Sequence, residues 1–295
     1  SLRRRVPAGA RAGPAARRLG RGPSRVAAAY SPGVKRGSRS SWDAVAGWYD
    51  ATVGVRGSPH HRKAAIPTVM RLADLRRGER VIDVGCGTGV LAFHVVKAGA
   101  EYLGVDASAQ MIRLARRRRG EDGRFEEGDA RDLAGTTSAA PGTFDAAVFL
   151  LSLQDMDPLD QVFASTARVL KPDGRVVAFM VHPAFRPPRG SGWGYDPKRK
   201  LTYRRVERYL TAGAVPMKEY AEVRKGAPRG ATISFHRPLQ DYVNALAAEG
   251  LWVDALVELP DPVKDEEGRS NPEIPLFLAL RARRVAGRDR GAGVP

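Results

Sequence analysis

The feature that most constrains the fold is a short apolar segment that ends in three closely spaced glycines. Residues 81–89 read Val-Ile-Asp-Val-Gly-Cys-Gly-Thr-Gly, which predicts a buried strand, a turn and the start of a helix. Because glycine has no Cβ, such a turn lets the backbone approach a bound ligand closely. A nicotinamide site prefers Gly-x-Gly-x-x-Gly, whereas the third glycine here comes one residue earlier. Taken alone, the turn is also compatible with a plain connection between a strand and a helix.

Downstream of this turn, predicted strands and helices alternate along the chain. The predicted strands are residues 81–84, 102–105, 124–126, 146–150, 176–181, 251–259 and 274–281, and the predicted helices are 42–53, 61–75, 90–98, 109–118, 159–170 and 239–249. Such alternation is typical of an α/β fold with helices on both faces of a parallel sheet. We therefore expect a Rossmann-like, doubly wound, seven-stranded and mostly parallel sheet, with an insertion at 183–234 after the fifth strand.

The net charge of +17 is unevenly distributed along the sequence. Residues 1–40 contain eleven Lys or Arg and no acidic residue, and residues 183–234 contain twelve basic and four acidic residues. The rest of the chain is close to neutral, so the basic character does not belong to the core of the domain. The single cysteine excludes an internal disulfide and a cysteine-based zinc cluster, and no metal site is expected.

Residues 1–40 are predicted to be a disordered basic tail because they contain few large apolar side chains. The folded domain would then comprise residues 41–295. Three interpretations of the tail remain open: an organelle presequence, a nucleic-acid-binding arm, or translated upstream sequence with the working protein beginning near 38–42. We favour the third, because no apolar stripe runs through the segment. No apolar run is long enough to span a membrane, and we expect a cytoplasmic protein, with organelle import through residues 1–39 as the alternative.

Acidic residues follow the next two predicted strands, and their positions indicate what the glycine turn binds. Asp106 ends the second strand, where a carboxylate can accept hydrogen bonds from both hydroxyls of a ribose. Asp129 follows the third strand and can accept from the amino group of an adenine, while Met111 can pack on the adenine face. Both acids could instead be helix caps. Together with the turn, these residues outline a site for an adenosine that carries an amino-acid tail.

Five segments in this order resemble the class I S-adenosylmethionine-dependent methyltransferases. They are 83–89, Gly104-Val-Asp106, Gly128-Asp129-Ala130, Phe144-Asp145 and 170–174. The likeness runs from about Trp42 to Arg284 and is greatest to the small-molecule branch, which includes quinone-biosynthesis methyltransferases. It implies S-adenosyl-L-methionine as the cofactor. The cofactor-binding residues that it implies are Tyr49, Asp83, Gly85, Gly87, Gly89, Asp106, Met111, Asp129, Ala130, Phe149 and Leu150.

The acid–base group of the reaction is not predicted with the same clarity. Many members of this family carry a His pair after the fourth strand, whereas this sequence has Gln154-Asp155, so no role is carried over to these positions. His182 and His236 are the candidate catalytic bases, although each could be a structural histidine. His60 and His61 are expected on the surface. Methyl transfer requires a base only if the nucleophile is protonated at the working pH.

The insertion at 183–234 combines aromatic and basic side chains, which predicts a lid over a planar or anionic substrate. The lid residues would be Trp193, Tyr203, Arg204 and Tyr209. The alternative is a solvated helix whose tyrosines pack on the body of the domain.

The sequence therefore predicts in-line methyl transfer from S-adenosylmethionine to a small-molecule acceptor. The main alternative is an RNA or other nucleic-acid methyltransferase, prompted by the basic charge. It is disfavoured because residues 150–154 lack the Asn/Asp-Pro-Pro-aromatic motif of amino-directed enzymes, and because the only cysteine lies in the glycine turn. A non-catalytic binder of the same fold is a second alternative. Nothing in the sequence predicts the oligomeric state.

Overall fold

The structure of the chain is a computed structural model, which describes residues 42–185, 191–216, 232–263 and 272–284. The tail predicted at 1–40 lies outside these residues. The helices are α1 (Ala46–Val53), α2 (Ile66–Ala73), α3 (Ala92–Lys97), α4 (Ala109–Arg119), α5 (Leu133–Thr136), α6 (Leu159–Val169) and α7 (Leu239–Ala248). The strands are β1 (Arg80–Val84), β2 (Glu101–Asp106), β3 (Arg124–Glu127), β4 (Phe144–Leu150), β5 (Leu170–Val181), β6 (Ser191–Asp196), β7 (Leu201–Val206), β8 (Gly213–Pro216), β9 (Ile233–His236), β10 (Leu251–Pro260) and β11 (Pro275–Arg284).

Seven of these strands form the central sheet, in the order β3-β2-β1-β4-β5-β11-β10. Strands β1 to β5 pair in parallel, and β11 runs antiparallel to both of its neighbours. The doubly wound, mostly parallel fold predicted from the sequence is therefore confirmed. The strand order reverses between β1 and β4, and the carboxyl ends of strands at such a switch point form the crevice in which α/β proteins bind ligands.

Apolar side chains cover both faces of the sheet, because strands buried on both sides are apolar at nearly every position. In β4, Val148 and Leu150 belong to the core on the face covered by α2 and α3. Phe149 points to the opposite face, where it packs against Phe163 of α6. The period-2 alternation of a strand thus sends consecutive residues at the end of β4 to different layers.

The N-terminal helix α1 is attached to α4 by polar contacts. Asp43, in the 3-10 turn before α1, accepts a hydrogen bond from the Ser108 hydroxyl at 2.5 Å. Arg118, near the end of α4, forms a 2.6 Å ion pair with the buried Asp50. These contacts hold α1 against α4, and the ring of Tyr49 in α1 lies beside the glycine turn that follows β1.

Part of the segment between β5 and α7 is described, and it consists of two small antiparallel hairpins. One pairs β6 with β7, and the other pairs β8 with β9. The solvated helix considered as an alternative for this segment is therefore not what the described residues form. Trp, Tyr, Thr and Val are common in β6 and β7, and these residue types favour extended backbone. Within the described ranges, no helix has the length and apolar character needed to cross a bilayer.

Candidate active site

A cavity of about 1620 Å³ opens at the carboxyl ends of the parallel strands. Gly87 after β1, Asp106 at the end of β2 and Asp129 after β3 all line it. Other predicted cofactor-binding residues that line it are Tyr49, Gly85, Met111, Ala130 and Leu150. The structure thus brings residues from six separate parts of the sequence to one crevice.

Asp106 connects the glycine turn to the second strand. One of its carboxylate oxygens accepts a hydrogen bond from the Gly87 amide at 2.9 Å, and the other accepts from the Ser108 amide at 2.9 Å. Burial raises the pKa of Asp106, although both amide hydrogen bonds oppose this rise. Each carboxylate oxygen has two lone pairs, so both oxygens can still accept hydrogen bonds from a ligand in the cavity.

Gly89 and Asp83, which were also predicted to bind the cofactor, lie beneath the glycine turn and do not line the cavity. A Cβ on Gly89 would lie 2.7 Å from the Phe125 ring, so this glycine provides space for packing against β3. Asp83 is buried and accepts a 2.7 Å hydrogen bond from the Tyr102 hydroxyl. Burial raises the pKa of Asp83 to about 7, while the Tyr102 hydrogen bond opposes the rise. Neither residue is among those that line the cavity.

The structure separates Phe149 from Leu150, which the sequence grouped together. Leu150 lines the cavity, whereas the side chain of Phe149 is fully buried in the opposite core layer. The side chain of Phe149 therefore does not reach a ligand in the crevice. The alternation along β4 is the physical reason.

Asp129 lies at the predicted adenine end of the cavity and forms an ion pair. Its carboxylate accepts from Arg131, with a 2.5 Å contact to Nη2 and a 2.9 Å contact to Nε. Both residues line the cavity and both are partly exposed. The backbone amide of Arg131 also donates to this carboxylate at 2.9 Å, and together these contacts fix the orientation of the Asp129 carboxylate.

The two candidate histidine bases are in different environments. His182 lies outside the cavity lining, and both of its ring nitrogens have partners: Nε2 contacts Glu258 at 2.8 Å and Nδ1 accepts from the Ala184 amide at 3.1 Å. His236 lines the cavity, and its Nε2 donates to the Tyr209 carbonyl at 2.8 Å. Burial lowers the pKa of both histidines. The structure therefore brings only His236 of the two to the crevice.

His60 and His61 were expected on the surface, and the structure corrects this expectation. Both line the cavity, and His61 is buried with its Nδ1 2.8 Å from the Ser58 hydroxyl. Burial lowers the pKa of His61 to about 4, so its ring is neutral at pH 7. The sequence did contain a signal, because His61 begins the apolar face that continues through Ala65 and Val69.

The residues predicted as a substrate lid are not among those that line the cavity. Trp193, Tyr203 and Arg204 lie on the β6–β7 hairpin, where the Arg204 guanidinium is 5.0 Å from the centre of the Trp193 ring. Trp193 and Tyr203 are 37% and 45% exposed. Tyr209 follows this hairpin, and its hydroxyl accepts from the Leu239 amide at 2.9 Å. Cross-strand pairing keeps these side chains with each other, and β9 supplies the lining instead.

One cavity residue without an assigned role is Asp155. It ends the 3-10 turn that follows β4, lines the cavity and is hydrogen-bonded to Ser234 of β9. Burial, together with the charge of Asp106, raises the pKa of Asp155 to about 8, and the hydrogen bond from Ser234 opposes this rise. Sequence reasoning could not identify this environment, because Ser234 comes from a strand about 80 residues away. Among the residues that the structure describes, no cluster of His, Cys, Asp and Glu could hold a metal ion.

Comparison with known proteins identifies the relatives of this domain. A family model described as a methyltransferase domain matches residues 81–174. A demethylmenaquinone methyltransferase of Tropheryma whipplei is 33% identical over 142 residues, which cover 47% of this chain and 56% of that protein. A ubiquinone biosynthesis O-methyltransferase of Thiobacillus denitrificans is 35% identical over 116 residues, or 37% of this chain and 49% of that protein. The chain thus spans about half the length of the curated relatives that it matches.

A solved structure shares the fold over most of its length. The crystal structure of an S-adenosylmethionine-dependent methyltransferase from Mesorhizobium loti has a TM-score of 0.61 at 24% identity, covering 78% of this chain and all of that one. The segment matched by the family model runs from β1 into β5. It therefore contains Gly85, Asp106, Asp129 and Asp155, and it excludes α1 and β9.

Proposed function

We propose that the chain is a class I S-adenosylmethionine-dependent methyltransferase that transfers a methyl group from this cofactor to a small, planar, hydroxylated organic acceptor. The observation that carries the proposal is the convergence of Gly87, Asp106 and Asp129 on one cavity. These residues come from the ends of three neighbouring strands in the sheet. Their order matches the three parts of the cofactor: methionine, ribose and adenine.

The residues present fit the cofactor. Gly87 has no side chain, and a Cβ there would point toward Tyr49 at 3.7 Å, which would narrow the crevice between the turn and α1. Asp106 offers two oxygens to the ribose hydroxyls, and Met111 is a buried apolar residue at the start of α4, where it can contact the adenine. Asp129 and Ala130 would hold the opposite edge of the base.

The bound cofactor supplies an electrophilic methyl group on a sulfonium, which is already a good leaving group. The protein therefore has to align the acceptor atom with the methyl carbon and to exclude water. Tyr49 and the apolar residues that line the cavity help to exclude water from the crevice. The part of the cavity beyond the glycine turn, lined by Val181, Phe277 and Phe235, is available for the acceptor.

A planar acceptor with a hydroxyl group is supported by the relatives and by the lining. The relatives are named for reactions of quinone biosynthesis, in which the ring is planar. The arginines that line the described part of the cavity, Arg131 and Arg237, each pair with an aspartate. Such neutralised cations support an acceptor of low net charge over a strongly anionic one. The cytoplasmic location stays a prediction of the sequence.

The acceptor class can be tested with methyl-labelled cofactor and a cell extract that is afterwards separated into small-molecule, lipid, protein and RNA fractions. The label is expected in the small-molecule or lipid fraction, because a ring of this kind partitions into one of the two. Label confined to RNA, with binding that weakens steeply with salt, would establish the nucleic-acid alternative instead.

The variant Asp106→Ala is expected to weaken cofactor binding by about 10²- to 10⁴-fold. The physical reason is the loss of charge-assisted hydrogen bonds, each of which contributes about 1.5–3 kcal/mol. Isothermal titration calorimetry with S-adenosylmethionine measures the effect. Asp173→Ala is the matched control, because Asp173 is exposed and outside the cavity. Unchanged affinity in Asp106→Ala would refute the ribose assignment.

A further inference from the structure

Asp155 is held at a fixed place on the acceptor side of the cavity. It is the last residue of the 3-10 turn Leu153–Asp155, and its amide donates to the Ser152 carbonyl at 2.9 Å. The Ser152 hydroxyl in turn donates to the Val84 carbonyl at 2.6 Å, which attaches the turn to the end of β1. The turn that carries Asp155 therefore lies against the glycine turn that would hold the methionine part of the cofactor, and Asp155 lines the same cavity.

In the described part of the chain, the groups that face Asp155 come from four elements, and none of them is a cation paired with it. Ser234 of β9 is hydrogen-bonded to its carboxyl group, and Asp106 of β2 is close enough to raise its pKa. Burial raises the pKa of Tyr49 in α1 and of Tyr242 in α7, and the charge of Asp155 contributes to both shifts. Next to Ser234 and Tyr242, His236 donates to the Tyr209 carbonyl, and Arg237 is engaged by Asp157 at 2.6 Å.

This environment makes the protonation state of Asp155 depend on what occupies the cavity. Burial beside Asp106 raises its pKa to about 8, so the carboxyl group holds a proton at pH 7 while no cation is near. A positive charge in the cavity favours the carboxylate form and lowers the pKa. Binding of a sulfonium cation would therefore release the proton and leave a carboxylate that can act as a base.

Resting on the methyl transfer proposed above, we infer that Asp155, positioned by Ser234, is the base that accepts the hydroxyl proton of a phenolic acceptor. The hydroxyl oxygen forms a bond to the methyl carbon while the bond between the methyl carbon and sulfur breaks. The electron pair of the broken bond stays on sulfur, which becomes a neutral thioether. The proton of the hydroxyl passes to the Asp155 carboxylate. A phenol of ordinary acidity has a pKa near 10, so it needs such a base at neutral pH.

The variant Asp155→Asn tests the role of this group in catalysis. With a series of substituted phenols and catechols as acceptors, kcat/KM is expected to fall by about 10²- to 10⁴-fold for weakly acidic hydroxyls. The loss should shrink as the acceptor hydroxyl becomes more acidic, because an acceptor that is already ionised needs no base. A structural role would lower the activity on all acceptors alike, and that outcome would overturn the inference. Asp160→Asn, an exposed change on α6 outside the cavity, is the matched control.

The variant Ser234→Ala provides a second test that keeps the carboxyl group. Because the Ser234 hydrogen bond lowers the pKa of Asp155, its removal should shift the rising limb of the pH profile of kcat/KM to higher pH. An unchanged pH profile in Ser234→Ala, together with an unchanged dependence on acceptor acidity in Asp155→Asn, would refute the inference while leaving methyl transfer intact.

A third readout does not require an acceptor. Calorimetric titration of S-adenosylmethionine at pH 7, in buffers of different ionisation enthalpy, counts the protons released on binding. The wild type should release more protons than Asp155→Asn, and equal release in the two proteins would overturn the inference. Failure of the wild type to bind the cofactor at all would instead refute the proposed function, and the inference with it.

Discussion

Replacing Gly85 by alanine is expected to abolish measurable cofactor binding and to lower the free energy of unfolding by about 2 to 5 kcal/mol. Gly85 has a φ of +75°, which costs an L-residue about 1–2 kcal/mol. A Cβ at this position would lie 2.5 Å from the Cβ of Ser152 and 2.8 Å from the Cε of Met156. The Met156 side chain can move, but Ser152 is held by its hydrogen bond to Val84, and overpacking of this kind costs about 1–3 kcal/mol.

The loss of binding follows from the same clash, because the turn cannot keep its present conformation. The Gly85 amide donates to the Val105 carbonyl at 2.7 Å, and a displaced turn would also move the amide of Gly87 away from Asp106. Urea denaturation and calorimetry measure the two effects. Gly47→Ala is the control, because Gly47 is exposed in α1 with nothing within 4 Å of its potential Cβ. That change should stabilise the protein by about 0.5–1 kcal/mol. A Gly85→Ala protein with wild-type affinity would contradict this account of the turn.

The elements that carry the cofactor site could be predicted from the sequence because their signals are local. The strand that precedes Gly85 is a continuous apolar run, and a run of this kind can only be buried between two layers. Asp106 and Asp129 are found by counting from strand ends, and parallel strands bring their carboxyl ends to one edge. These features depend on residues a few positions apart, and the structure places them as expected.

The acceptor side of the cavity could not be predicted in the same way. Burial and the charge of Asp106 raise the pKa of Asp155 while the hydrogen bond from Ser234 lowers it, and these contributions come from elements far apart in the sequence. The aromatic and basic residues of the insertion have a composition that suits either a lid or an exposed hairpin. Only the pairing of β6 with β7 decides between them, and pairing register is weakly specified when both faces of a ribbon are exposed.

Two errors could have been avoided by applying periodicity more strictly. Phe149 and Leu150 are consecutive residues of one strand, so their side chains must point to opposite faces, and only one of them can reach the crevice. His61 lies in register with the apolar face of α2, which indicates burial rather than exposure. In both cases the periodicity of a single element was sufficient to predict that the side chain is buried. The sequence-based prediction relied on neighbouring motifs instead.

The second large effect concerns Asp83 and the pH dependence of stability. Its pKa is about 7 in the folded protein because the carboxyl group is buried, whereas an aspartate in an unfolded chain titrates near pH 4. Between about pH 4 and pH 7 the folded state therefore holds a proton that the unfolded state has lost. The contribution of this group to the free energy of unfolding is fully present below pH 4 and is lost as the pH rises through 7. The total change is about 4 kcal/mol.

Asp83→Asn removes this titration, so its stability relative to the wild type is expected to rise between pH 5 and pH 8. Urea denaturation of both proteins at several pH values measures the difference. Asp145→Asn is the matched control: although burial opposes it, hydrogen bonds from the Arg80 amide and Lys171 lower the pKa of Asp145. The contribution of Asp145 is present above about pH 4 and lost in acid, so that variant should keep a constant difference from the wild type between pH 5 and pH 8. A constant difference for Asp83→Asn as well would show that Asp83 titrates like an exposed aspartate despite its burial beside Tyr102.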